Sequence, residues 1–490
     1  PCTVQGTQYP AKMPLPWQNS AGQFSRDASV MVGFEAGPGQ WRDETDNNWN
    51  PAIPFEIPDW DVFEIDANAT PPVALIDTSA NPDILGIPGV GTILFNMAVN
   101  PVNGDVYVSN TDANNLVRFE GLGDWADPAE LGPKPSGDPD TVRGNLHKAR
   151  ITVLDSSADN GGTARTEFNV IPRALNKHIN YVVDPEPDTR FKSLATPLEM
   201  AVSDDGSTIY VAGFGSNNVA FYDTTQLEND TFSQDGTNLI QIGAQPAGLV
   251  LDDPNDRLYV STRTRIYIVD TTTNTVVDTK LLFTPENPGI INGRQFLYDA
   301  VLTSSNGEAS CSSCHVFGDM DDLAWDLGDP DLANVPNNNP PPPDVAGTGV
   351  DNLQPFSANK GPMTTQTLRG LKFGGPQHWR GDRTGPECLS NPADPACGNR
   401  AFNEFDVAFE GLLGLEAGGP LNPTGPLNAT DMQGFTDFAM QLTLPPNPIR
   451  NLDNSLTAQQ QNGLTAYFQP LTDGVASCEG CHELDRALGK

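Results

Sequence analysis

The stretch LEMAVSDDGSTIYVAG, Leu198–Gly213, sets the fold expectation. An apolar run breaks at a turn composition, Asp-Asp-Gly-Ser, and resumes as Thr-Ile-Tyr-Val-Ala, so the segment reads as a β-hairpin. The same theme stands at FNMAVNPVNGDVYVSN (Phe95–Asn110) and AGLVLDDPNDRLYVST (Ala247–Thr262), with Tyr-Val at Tyr107, Tyr210 and Tyr259. The tyrosines lie 103 and 49 residues apart, near two periods and one. A single hairpin fits a sandwich equally well, but a period of about 40–50 residues with short strands marks a β-propeller blade. The segments NNLVRFE, NNVAFYD and RIYIVDTTTNTVV supply the following strands, ARITVLD a strand of the blade skipped by the long spacing, and DWDVFEIDAN an earlier blade. The expectation is an all-β propeller of roughly six or seven blades over residues 1–290.

Composition narrows the class. Gly (46) and Pro (44) are abundant against 27 Lys plus Arg, which favours turns and short strands. A formal charge of −36 argues against nucleic acid or an anionic membrane as partner, because both would be repelled. It fits a surface kept acidic for solubility, or Asp-rich loops that hold Ca²⁺. No run approaches the roughly 20 apolar residues of a membrane span. The chain opens at Pro1 without Met, so an export signal is expected to have been removed. Of the seven cysteines, Cys388 and Cys397 bracket a Pro-rich loop and are expected to form a disulfide in an oxidising compartment, while Cys2 is left over.

From Asn292 the pattern changes. GRQFLYDAVL, TDMQGFTDFAMQL and LTAQQQNGLTAYF carry apolar residues at helical spacing, the second starting at Thr430–Asp431, good N-cap types. Two of these helices lead through a short turn into GEASCSSCH (Gly307–His315) and GVASCEGCH (Gly474–His482), 167 residues apart. Cys-x-x-Cys-His is where haem c is attached. The cysteines, Cys311 and Cys314, then Cys478 and Cys481, would carry thioethers, and His315 and His482 would be proximal iron ligands. A zinc site would need further close Cys or His, and a redox pair a βαβ context; neither is present near the motifs.

Between the motifs, QHWRGDR gathers His378, Trp379, Arg380, Asp382 and Arg383. His378 is expected as the distal ligand of the first haem, with Met363 and Met320 as runners-up. Trp379, Arg380 and Arg383 are expected at the haem edge, the guanidinium groups facing propionates. Met432 and Met440 are upstream candidates for the second haem, although Met440 also lies at core spacing from Phe435 and Phe438. His147 and His178 fall in the first half, where a lone histidine is usually structural. They are also speculative donors to a second haem completed by a neighbouring chain.

The segments LTSSNGEASCSSCHVFGDMDDLAWDLGDP, GPMTTQTLRGL, HWRGDR and LPPNPIRNLDNSLT resemble the di-haem cytochrome c peroxidase superfamily, in a branch with an N-terminal YVTN-type propeller. The resemblance spans nearly the whole chain. It implies a multidomain protein with a propeller followed by mainly α di-haem cytochrome c domains over residues 291–490. The first haem module would cover about 291–400 and the second about 430–490. It implies two covalently attached haems c, often with Ca²⁺ between them, one haem meeting peroxide and the other, Met-ligated, admitting electrons. Here only eight residues follow His482, where relatives continue into a segment bearing the distal methionine. The reading is therefore an exported, periplasmic or extracellular di-haem electron carrier. It would serve a redox partner or neighbouring copies of itself, with homo-oligomers in view. The alternative is an H₂O₂-reducing oxidoreductase.

Overall fold

In the computed structural model the described residues are 2–4, 7–9, 31–35, 39–43, 47–53, 60–75, 86–117, 120, 141–156, 168–181, 187–329, 331–337, 355–373, 377–383, 397–415, 427–445, 447–449, 451, 453, 455–472, 474, 477–480 and 484. Short antiparallel pairs come first: β1 (Cys2–Val4) with β2 (Thr7–Tyr9), β3 (Val32–Glu35) with β4 (Gln40–Asp43), and β5 (Ile65–Asp66) with β6 (Val73–Ala74). Three four-stranded antiparallel meanders follow. They are β7 (Ile93–Val99), β8 (Val106–Ala113), β9 (His147–Asp155), β10 (Asn169–Ala174); then β11 (Pro197–Val202), β12 (Thr208–Gly213), β13 (Asn218–Asp223), β14 (Leu239–Gln241); then β15 (Gly248–Asp252), β16 (Arg257–Ser261), β17 (Arg265–Asp270), β18 (Thr275–Leu281).

The repeated tyrosines occupy one structural position. Tyr107 faces Ala98, Tyr210 faces Ala201 and Tyr259 faces Val250, each on the second strand of its sheet. Two of them tie one sheet to the next. The Tyr107 hydroxyl donates to Glu228 Oε1 at 2.5 Å, just past β13, and the Tyr210 hydroxyl to Asn274 Oδ1 at 3.4 Å, between β17 and β18. Asn96 and Asn100 add bonds from the first sheet to Glu199 and the Gly206 carbonyl. First strands lie side by side, β11 packing against both β7 and β15.

The propeller expectation is corrected on two points. The three sheets form an open array, since no ladder among the described residues joins the last sheet back to the first. Among the described residues, the long tyrosine spacing also holds no extra blade. ARITVLD lies within β9, paired to β8 in the first sheet, and Asn114–Val117 is a turn rather than a strand. The spacing is taken up between the end of β8 at Ala113 and the start of β9 at His147. Val117, Val142 and Leu146 from this excursion are buried in the core of the second half. The DWDVFEIDAN stretch contributes β5 and an isolated Val62–Ile87 bridge, with no four-stranded sheet among the described residues.

The second half is not mainly α, which corrects the expectation of α di-haem domains. Helices are short, at Pro288–Tyr298, Ala300–Thr303, Cys311–Cys314, Cys397–Asn403, Val407–Gly411, Ala429–Ala439 and Ala458–Tyr467. They alternate with loops and the pair β19 (Ala324–Leu327) and β20 (Gly361–Thr364). Glycines in the left-handed region and prolines interrupt them, as at Gly318, Gly328, Gly361 and Gly370. The expected helices do form where apolar spacing marked them, but Asn428, rather than Thr430–Asp431, is the N-cap, accepting from both their amides. Their core centres on Phe296, Phe402, Phe409, Phe435 and Phe438. A Cβ on Gly293 would stand 2.1 Å from the Gly434 carbonyl, so that glycine lets the Pro288–Tyr298 and Ala429–Ala439 helices touch. Met432 and Met440 are buried in this core, 4% and 6% exposed, where packing occupies both.

Candidate functional site

The first Cys-x-x-Cys-His motif is held rigidly. Gly307 opens it at φ +76, and a Cβ there would meet the Arg190 carbonyl at 2.4 Å, so the position needs glycine. Gly474 opens the second copy at φ +95, which explains the glycine shared by both. Next to Gly307, the fully buried Glu308 accepts from the Ala149 amide (2.8 Å), Asn176 Nδ2 (2.8 Å) and the Tyr181 hydroxyl (2.6 Å), locking the motif against the first sheet. Burial raises its carboxyl to about 7, although the three donors pull the other way. The helical turn Cys311–Cys314 follows Ser310, whose amide donates to Ser313 Oγ at 3.1 Å.

Cys311 and Cys314 are free thiols. Burial pushes Cys311 up to about 12, and burial with the nearby Asp321 charge also raises Cys314 well above the usual thiol range. These are protonated thiols, unlike the low-pKa thiolate of a disulfide-exchange pair. His315 Nδ1 lies 2.7 Å from the Gln366 carbonyl. A carbonyl only accepts, so Nδ1 carries the proton and Nε2 presents a lone pair. Burial, the largest influence, lowers the imidazole's proton affinity and keeps it neutral.

His378 mirrors that arrangement. It sits at φ +66 in a tight loop closed by the Gln377–Arg383 bridge and by the Gly381 amide donating to its carbonyl at 3.0 Å. Its Nδ1 lies 2.7 Å from Asp382 Oδ1. Burial would raise Asp382, but His378 and Arg380 outweigh it and leave the carboxyl far below the usual range. Burial also lowers His378. The pair is therefore a neutral imidazole donating from Nδ1 to a carboxylate, with Nε2 free. The Phe405 ring stands edge-on to it at 4.6 Å.

Both histidines line one cavity of about 300 Å³ together with Cys311, Cys314, Met363, Trp379 and Arg383. Trp325, Leu368, Phe402 and Phe409 make much of its wall apolar. Glu120 and Lys360, paired at 2.5 Å, close one side. Trp379 stands at the rim, 61% exposed, its indole N–H donating to the Thr364 carbonyl at 2.7 Å. Arg383 Nε is buried without a hydrogen-bond partner, and the guanidinium lies 6.0 Å from the Phe405 ring centroid. Arg380 is turned away from the cavity, spent on Asp382 and on the Ser357 and Asn359 carbonyls. Met320 is 41% exposed and is not among the cavity-lining residues.

The second motif is described only in part. Cys478 is a half-buried free thiol in a short 3₁₀ turn, whereas Cys481 and His482 lie outside the described residues. The preceding helix, Ala458–Tyr467, buries none of its side chains, unlike its counterpart at Pro288–Tyr298. Cys388 and the side chain of Cys397 also lie outside the described residues, so the expected disulfide does too.

His147 is buried and His178 half-buried. His178 contacts Ser193 Oγ at 3.1 Å. His147 is 1% exposed on β9, and its ring lies 5.3 Å from that of Trp325. Neither ring nitrogen has a hydrogen-bond partner. It belongs to the surroundings of the first motif, and no sequence signal pointed there. The contributions of Glu308 and the Gln366 carbonyl were equally silent, since each depends on a long-range contact.

No family model matches the chain, and no curated protein matches it. Among solved structures it is similar to hydrazine synthase of Kuenenia stuttgartiensis, at 14% identity over 44% of this chain and 56% of that one, TM-score 0.24. It is similar to the β-propeller domain of the Trilobed protease from Pyrococcus furiosus, at 10% identity over 39% and 44%, TM-score 0.21. A third is PorZ of Porphyromonas gingivalis, at 14% identity over 53% and 28%, TM-score 0.24. The chain spans about half the length, or less, of these three structures, and overlaps this loose carry no argument about fold or function.

Proposed function

We propose that the cavity beside Cys311–His315 holds a covalently attached haem c and that the protein transfers electrons. The observation that carries this reading is the pair of neutral imidazoles, His315 and His378, lining one cavity with Nδ1 fixed and Nε2 free. The residues fit the group. Cys311 and Cys314 would hold it through thioethers, His315 and His378 are the imidazoles that would bind its iron, and Met363 is a further candidate ligand. The buried, unpartnered Nε of Arg383 suits a propionate. Bound there, the group would supply one-electron redox chemistry.

The protein's own part is orientation and exclusion. The Gln366 carbonyl and Asp382 hold each ring by its far nitrogen, which fixes the tautomer and raises ligand basicity. Phe402, Phe405 and Phe409 keep water from the site, and Trp379 marks the exposed edge. A second haem at Cys478, Cys481 and His482 belongs to the same proposal, as does the likeness to di-haem peroxidases, which rests on sequence motifs. An oxidising location, periplasmic or extracellular, accords with it. The acidic surface would attract a basic redox partner.

The test is mass spectrometry of the denatured exported protein with spectra of its oxidised and reduced forms. Two added haem masses and low-spin iron are expected. The substitution His378→Ala should convert the first haem to high spin. No covalent haem would overturn the reading, and an unchanged low-spin spectrum would remove His378 from it. Sustained H₂O₂ turnover at tens per second or faster, in the usual range for enzymes, would replace the carrier reading with the peroxidase.

A further inference from the structure

Behind Cys314, on the side of the first sheet, three potential ligands converge. The donor atoms of His147, Cys314 and Asp321 all lie within 4.8 Å of one another. His147 is fully enclosed, and both of its ring nitrogens lack a hydrogen-bond partner, an arrangement that is costly unless something fills it. Asp321 is aimed by two donors, Trp325 Nε1 at 2.9 Å and the Leu323 amide at 3.0 Å. It is 3% exposed. Cys314 Sγ stands within 4.8 Å of the Asp321 carboxylate.

We infer that, in chains without haem at Cys314, His147 Nδ1 or Nε2, Cys314 Sγ and Asp321 form a three-ligand site for a borderline divalent cation of the zinc class. One imidazole, one thiolate and one carboxylate are ligand types that this class takes in tetrahedral sites, with bonds of about 2.0–2.3 Å. Ligand atoms would then stand about 3.5 Å apart, so the present spacing closes by about an ångström of side-chain rotation. Charge balances as well. The cation replaces the thiol proton, one H⁺ leaves per ion bound, and thiolate and carboxylate together cancel the two positive charges in a buried setting. Of the three ligands, Cys314 also lines the cavity of the first motif. A thioether at Cys314 removes the thiolate, so the metal form and the haem form exclude one another.

The experiment uses the 490-residue chain produced without haem attachment, its folding checked by circular dichroism, titrated with Co²⁺ and then Zn²⁺. A thiolate-to-cobalt charge-transfer band that zinc bleaches is expected, with one proton released per ion. Cys314→Ser should abolish the band and Cys311→Ser should keep it. His147→Gln should weaken binding by more than about 100-fold, because even outer-shell changes cost about 10–100-fold. The unmutated chain supplies a check free of folding effects: zinc should slow alkylation of Cys314 and leave the slow, metal-free rate at Cys311 unchanged. No band, a band that survives Cys314→Ser, or equal protection of both thiols would overturn the site. Covalent haem is measured separately by mass on the exported protein, so failure of either reading leaves the other standing.

Discussion

Glu308 offers the sharpest test of how the first motif is held to the first sheet. Its carboxyl is fully buried and accepts from Ala149, Asn176 and Tyr181. Burial lifts it from 4.5 to about 7. A raised carboxyl binds its proton more tightly in the folded chain than in the unfolded one. The resulting stability is fully present below pH 4.5 and is lost as pH rises through about 7. At 1.36 kcal/mol per unit, the full linkage is about 3 kcal/mol. Glu308→Gln cannot ionise, yet its amide oxygen can still accept from Ala149 and Asn176. Urea unfolding of both proteins from pH 4.5 to 8 should show the wild type losing about 3 kcal/mol relative to the variant. Above pH 7 the variant should be the better placed of the two relative to their low-pH difference. Parallel curves across that range would refute the reasoning. They would mean that the three donors hold Glu308 ionised at its ordinary pKa.

Gly307→Ala should destabilise by at least about 2 kcal/mol, since the left-handed backbone costs about 1–2 kcal/mol for a side chain and the Arg190 carbonyl is in the way. Gly474→Ala, with the same backbone hand but nothing within 4 Å, should cost no more than about 1–2 kcal/mol; equal losses in chemical denaturation would contradict this contrast. Phe435→Ala removes the ring that Phe296, Phe402 and Phe409 surround at 6.3, 5.0 and 6.0 Å, and should cost about 3–5 kcal/mol and enlarge the cavity. A calorimetric loss under 1 kcal/mol, on the order of a surface change, would show that this cluster is not the core of the second half.

What the sequence by itself determined were the local patterns. The hairpins around Tyr107, Tyr210 and Tyr259 were legible because alternation and turn residues act over a few neighbours. The same holds for the helices at Pro288–Tyr298, Ala429–Ala439 and Ala458–Tyr467. The two Cys-x-x-Cys-His motifs and the His378 cluster were legible as chemistry, since spacing alone brings those groups together. Tertiary structure decided the rest. ARITVLD counted as a further blade in the sequence, but its partner is β8, reached across the excursion that carries Val117, Val142 and Leu146 into another core. Strand pairing over such a loop leaves no local trace, because loop closure costs little more as the loop lengthens. His147 read as an isolated histidine. Only the packing of β9 behind Cys314 sets it beside Asp321, since burial and donor direction belong to contacts between residues far apart in the chain.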